Sequence, residues 1–194
     1  MCSINDGLAY SKRWKRCYNL TYFQTASNGV IHVNTTTQQR FSAWAGQTIP
    51  TVLEWVPKIY EYLYNREQPY PVTSIGISVG SNLTKNGNSY NVTLGSILIE
   101  ADYLSQFDLK DPGLIIPFLV DSLREPNLTL SAPKWIINGI SNYMRYYVYD
   151  AEPPTVKITS TMSYDSSPLV TASFFSWIDP VSYTHLTLPT KRIV

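Results

Sequence analysis

Histidine, cysteine and charge are what this chain has least of. Its 194 residues include two histidines and two cysteines, and charged side chains make up only 15%. Cys2 and Cys17 allow one disulfide and exclude a thiol-rich metal module, which leaves the redox compartment open. No run of about 18 apolar residues occurs, so no membrane span is expected. The opening MCSINDGLAYSKRWKRC has no apolar h-region of the kind a signal peptide carries. A phosphate-cradling loop is missing too, because GISVG (76–80) lacks the lysine and the helix start that such a loop needs.

Apolar side chains, by contrast, reach 44%, enough for one domain with a real core. The polar remainder leans to Asn, Thr, Ser and Tyr, with N-x-S/T sequons at Asn19, Asn34, Asn82, Asn91 and Asn127. In a secreted eukaryotic chain these are glycosylation acceptors, and they tilt the expectation toward an extracellular setting. Lys12, Arg13, Lys15 and Arg16 around Trp14 form the one basic cluster, which reads as a solvated terminal segment. Nucleic acid is therefore not an expected partner.

The last residues, VSYTHLTLPTKRIV, change character abruptly. Back-translated, Val181 to Thr190 resembles an in-frame reading of a transposase sequencing-library adapter, and Pro180 fits the junction. Residues 181–194 are therefore expected to be foreign and are set aside from fold reasoning. The natural chain is expected to continue beyond Asp179, with residues 1–18 an uncertain segment and residues 19–179 an incomplete domain. Setting aside Lys191 and Arg192 turns the small positive charge balance slightly negative, and leaves His32 as the one histidine.

Along the chain, NLTYFQT (19–25) and VIHVNTT (30–36) flank an Asn28-Gly29 turn signal and predict a hairpin. Ile49, Val52, Leu53, Val56, Ile59, Tyr60 and Leu63 recur at helical spacing over 42–64, where Pro50 and Pro57 should break or kink the helix. PVTSIGISVG alternates as a strand with Ile75, Ile77 and Val79 on one face. Asn86-Gly87 turns the chain, and SYNVTLGSILIEA returns as a second strand.

LIIPFLVDSL reads as a mostly buried helix over 113–124, stopped by Pro126. Residues 133–149 form another, with Pro133 in its first turn and an apolar stripe of Trp135, Ile136, Ile140, Tyr143, Met144 and Tyr147. A last helix is expected over 168–178 after a Pro153-Pro154 linker. Strands first and helices later predict an α+β fold with helices on a mostly antiparallel sheet.

The stretch with most chemical promise is LVDSLREPN (119–127). On a helix, Asp121 and Glu125 at i and i+4 would leave one face together and could hold a hard cation. The plainer reading is that Asp121, Arg124 and Glu125 make a solvated face or a surface ion pair. A Ser/His/Asp triad would have to use His32, which reads as an ordinary strand residue. Cys17 with His32 is a formal pair without a reactive-thiol setting.

The order and wording of several segments resemble the basic secretory proteins, a family of zincin-like peptidases. APKWIINGISNYMRYY (132–147) is similar to that family's APGGLIEGIADYVR helix. RFSAWAGQTIPTVLEWVPKIYEYL resembles its long first helix, VTSIGISVG its first conserved strand, SILIEADYL the edge strand before the metal helix, and SYDSSPLVTASFFSWI its GYDVTARFLDY helix. The likeness is collinear over about residues 40–178. It implies a zincin-like α+β fold: a twisted mixed sheet with an antiparallel edge strand, the helix of Asp121 beneath it, and the 133–149 helix across a cleft.

In that family an HExxH motif follows the edge strand, two imidazoles gripping zinc while the glutamate activates water. The resemblance sets Asp121 and Glu125 at the two histidine positions and Ser122 at the glutamate, with Asn138 at the third ligand and Asn142 at a downstream aspartate. Zinc is the cofactor the family implies, and its ligands are absent. Ser122 cannot act as the base near neutral pH without a histidine or lysine partner.

The expectation is thus a pseudo-peptidase, an extracellular interaction or defence-type module whose partner is a protein or glycan, with no cofactor. Two alternatives stand beside it: a hydrolase with a non-zinc metal at Asp121, Glu125 and Asn138, and a carbohydrate-binding or wall-associated module suggested by the 15 Tyr and 5 Trp. An apolar surface around Phe174, Phe175 and Trp177 is expected where C-terminal helices would pack.

Overall fold

A computed structural model describes residues 21–64, 70–84, 87–124, 132–150, 152–157, 159 and 161–186. Cys2, Cys17, Asn19, the basic cluster, Glu125 and Asn127 lie outside them. The chain is mixed α and β, as the sequence predicts, with a five-stranded sheet in the order β1-β2-β3-β5-β4.

Strands β1 (Thr21–Ser27) and β2 (His32–Gln38) form the expected hairpin. Asn28 Oδ1 accepts from the amides of Val30 at 3.1 Å and Ile31 at 2.7 Å, and Gly29 takes φ +89°, a conformation glycine enters without strain. The next element, α1 (Ser42–Tyr64), crosses over and delivers β3 (Ser74–Gly80) parallel to β2. Despite Pro50 and Pro57 the helix is unbroken, contrary to the expectation. A continuous buried stripe through Trp44, Ile49, Val52, Val56 and Ile59 holds it against the sheet. The Leu53 carbonyl, which Pro57 cannot serve, instead accepts from Asn28 Nδ2 at 3.4 Å.

SYNVTLGSILIEA is two strands rather than one. β4 (Tyr90–Thr93) and β5 (Ser96–Glu100) are joined by a tight turn in which Gly95 has φ +69°. β5 pairs parallel with β3, and β4 takes the edge. Two corrections follow. The sheet is not mostly antiparallel: its three central strands run parallel and only the outer pairings reverse. The edge strand beside α3 is Tyr90–Thr93, while SILIE is internal. Alternation sets which face a side chain takes, and β3 and β5 keep Ile75, Ile77, Val79, Ile97 and Ile99 buried. It does not set the direction of the neighbouring strand.

Glu100, at the end of β5, accepts from the amides of Asn82 at 2.9 Å and Thr84 at 2.7 Å and from Thr84 Oγ1 at 2.9 Å. These donors, the Thr84 amide foremost, hold its carboxyl below the ordinary glutamate value. The sign follows: the clamp is complete above the ordinary value and is lost as pH falls through the lowered one. Acidification should therefore release the 81–84 loop, read as NMR shift changes at the Asn82 and Thr84 amides. Glu100→Gln should show weakened clamp shifts at neutral pH.

Helices follow: α2 (Ala101–Leu104), a 3-10 turn (Pro112–Ile115) running into α3 (Ile116–Leu123), α4 (Lys134–Tyr143) continued by a π-helical turn (Met144–Tyr149), and α5 (Pro168–Leu186). α3 stops earlier than expected, because Arg124 is extended at ψ 133°. Pro133 caps α4 from just outside instead of sitting in its first turn. The buried side of this segment is Gly139, Ser141, Met144 and Arg145, whereas Trp135, Ile136, Ile140, Tyr143 and Tyr147 are only half-buried. α5 runs on past Ile178, so the helix is longer than the spacing predicts.

Candidate functional site

Edge strand β4, helix α2 with the loop after it, α3 and α4 enclose a cavity of about 230 Å³. Its polar side is made by Asp121 from α3, by Asn138, Ser141 and Asn142 from α4, and by Arg145 from the π-helical turn. Of the residues singled out in the sequence, the fold thus brings Asp121, Asn138 and Asn142 together. Ser122 is not among them. It is fully buried, its Oγ donates to the Leu119 carbonyl at 2.9 Å, and its own carbonyl accepts from the Gly95 amide at 3.0 Å.

Glu125 lies outside the described residues, and the basis for pairing it with Asp121 fails. The i, i+4 relation needs a helix through position 125, but α3 ends at Leu123 and Arg124 is extended. A residue before proline disfavours the helical region, which accords with an end ahead of Pro126.

Asp121 Oδ1 accepts from Ser141 Oγ at 2.6 Å and pairs with Arg124 Nη2. The pair is sunk, its side chains 22% and 12% exposed, so it is not the surface ion pair expected. Burial pushes the Asp121 carboxyl up, and the Ser141 hydroxyl and Arg124 guanidinium, which pull it down, do not fully offset this. Asn142 Nδ2 donates to the Asn138 carbonyl at 2.8 Å, leaving its amide oxygen uncommitted, while the Asn138 side chain is exposed at the rim.

Aromatic rings make the other side. Tyr90 meets Phe118 edge-on at 5.0 Å and Tyr103 at 5.7 Å, and Tyr103 meets Phe107 edge-on at 5.1 Å. Burial raises the Tyr90 and Tyr103 phenols, and the Asp121 charge adds to the rise at Tyr90. The sequence reading missed this wall, since three of its four rings come from a short edge strand, a one-turn helix and a loop, none long enough to show a period. Phe118, three residues before Asp121 on α3, was the one available signal.

Arg145 was missed as well. It lies 6% exposed in the π-helical turn, and its guanidinium pairs with both Asp111 and Asp150. Gly113 makes room for it: a Cβ there would collide with Tyr149 Cε1 and come within 2.7 Å of Arg145 Nη1.

The other candidates lie elsewhere. His32 is exposed at the start of β2, apart from the cavity. The described sequon residues Asn34, Asn82 and Asn91 are all exposed. Of the expected apolar surface only Trp177 is exposed, at 66%, stacked on Phe174; Phe174 and Phe175 are half-buried, the latter against Trp135 and Tyr143.

Zinc needs several imidazole, thiolate or carboxylate donors free to converge. Here Asp121 is tied to Arg124 and Ser141, Ser122 points away, and Asn138 and Asn142 offer amides, so these residues do not fit it. Among the described residues there is no group of three or more His, Cys, Asp or Glu side chains that could hold a metal ion. Nor is any helix among them long and apolar enough to cross a membrane. No protein-family model matches the chain, and no curated protein matches it.

Proposed function

We propose that this chain is a catalytically degenerate homologue of the basic secretory protein peptidases, zincin-like in architecture, that works outside the cell as an interaction module. The observation that carries the reading is the state of Asp121. At the position of the first zinc-binding histidine stands a carboxylate already held by Arg124 and Ser141. Two further features support it. An antiparallel edge strand borders the cleft, and the residues aligned with the downstream ligand and aspartate, Asn138 and Asn142, line that same cleft. A buried ion pair of this kind gives shape to a cleft without supplying a general base.

The test uses purified full-length protein. Metal analysis is expected to find no stoichiometric zinc, and fluorogenic peptides should be hydrolysed no faster with chelator absent than with it present. Tightly bound zinc at one per chain, with peptide hydrolysis that disappears on chelation, would overturn the reading.

A further inference from the structure

The same cleft carries a more specific reading, which rests on the proposal that it binds rather than cuts. Its charges are committed within the protein. Asp121 is paired with Arg124, and Arg145 is held between Asp111 and Asp150. An anionic ligand would have to take Arg145 from two carboxylates, which uncovers partly buried charge, and a cationic one would share with Arg124 a carboxylate whose charge is already balanced, which leaves a net positive charge in a partly buried site; both are costly. The ligand that fits is therefore neutral.

Neutral does not mean apolar. Among the described residues Asp121 Oδ2, the Asn142 amide oxygen, the Asn138 side chain and the Tyr90 and Tyr103 hydroxyls have no hydrogen-bond partner, and all belong to cavity-lining residues. They mix acceptors with groups that donate and accept, which is the complement of a polyhydroxylated molecule. Facing them are the rings of Tyr90, Tyr103, Phe107 and Phe118, apolar surfaces of the kind that pack against the C–H face of a sugar. At about 230 Å³ the space falls below the roughly 300–1,000 Å³ typical of drug-sized ligands, so it admits one ring and not a chain of them. We infer that the cleft between β4, α3 and α4 holds a single uncharged pyranose unit, edge-bonded by Asp121 and Asn142 and stacked on the tyrosine wall.

The experiment is saturation-transfer NMR on the full chain with the methyl glycosides of glucose, galactose, mannose, xylose and N-acetylglucosamine. At least one should receive transfer at its ring C–H protons. Asn142→Leu, whose wild-type side chain bonds only within its own helix, should keep the fold and weaken binding about tenfold, as loss of a buried polar contact of roughly 1.4 kcal/mol would. Tyr103→Ala should do the same or more. Trp177→Ala, on the aromatic surface away from the cleft, should leave binding unchanged.

No transfer to any glycoside overturns the inference. So does loss of transfer in Trp177→Ala with retention in Asn142→Leu. Failure here is distinct from failure of the functional reading. A zinc-free, non-hydrolysing chain that ignores every glycoside removes only the sugar, whereas chelator-sensitive hydrolysis removes the pseudo-peptidase.

Discussion

Replacing Arg145 by methionine should lower the stability of the fold by about 2–4 kcal/mol, the largest single-site effect expected in this chain. Arg145 is 6% exposed, and its guanidinium joins Asp150, five residues on, to Asp111 from before α3. Breaking a buried pair costs about 3–5 kcal/mol because a charge is left without its partner. Asp111 and Asp150 keep about a third of their side-chain surface in water, 33% and 27%, so solvent screens part of that loss. For a chain of this length the midpoint of thermal unfolding should fall by about 4–16 °C. Methionine keeps an apolar stem of similar length and loses the guanidinium, whose Cζ lies 5.1 Å from the Tyr149 ring centre, so the deficit reports chiefly the charged group and not volume. If that is correct, adding Asp111→Asn and Asp150→Asn should recover much of the lost stability, since a neutral cluster has no orphaned charge. A triple variant less stable than Arg145→Met would contradict the account.

Gly139→Ala should destabilise by about 1–3 kcal/mol, although the same change in an exposed helix interior stabilises by about 1 kcal/mol. The reversal comes from the contact of α4 with α5. A Cβ at this position would run into Thr171 Cγ2 and reach within 2.8 Å of Thr171 Cβ and 2.9 Å of Phe175 Cε2. Thr171 cannot turn aside without loss, because its Oγ1 donates to the carbonyls of Tyr164 at 2.8 Å and Ser167 at 3.1 Å. Thr171→Ser keeps those bonds and removes the obstructing methyl. Paired with Gly139→Ala it should therefore give back part of the stability in a double-mutant cycle by denaturant unfolding. Simple additivity of the two changes would rule this mechanism out.

What could be read from sequence depended on the length and regularity of each element. The alternation of Ile75, Ile77 and Val79, and the helical stripe from Ile49 to Ile59, were both legible because each repeats over several turns or pleats. Strand direction was not, since a buried face looks the same whether its neighbour is parallel or antiparallel. The prolines of α1 misled for a related reason: local chemistry argues for a break, and tertiary burial overrides it.

At the site, no local pattern links Asp121 with Asn138 and Asn142, positions too far apart in the sequence for periodicity to join them. Ser141 and Arg145 were not legible, because in an otherwise apolar stretch a serine or arginine is ordinarily read as solvent-facing. The spacing argument for Asp121 and Glu125 assumed a helix running through position 125, whereas α3 ends at Leu123; Glu125 itself lies outside the described residues.

The bond from the Gly95 amide to the Ser122 carbonyl gives this protein a built-in clock. It caps a carbonyl in the last turn of α3, where no helical partner remains, with the turn of the β4–β5 hairpin. Tyr90 rides on that hairpin. A motion of the β4–β5 hairpin that swings Tyr90 away from Asp121 breaks this bond and opens the Gly95 amide to exchange, while the central strands stay paired. The deuterium exchange rate of Gly95, set against that of an inner-strand amide such as Ile77, thus separates opening of the cleft from unfolding of the domain.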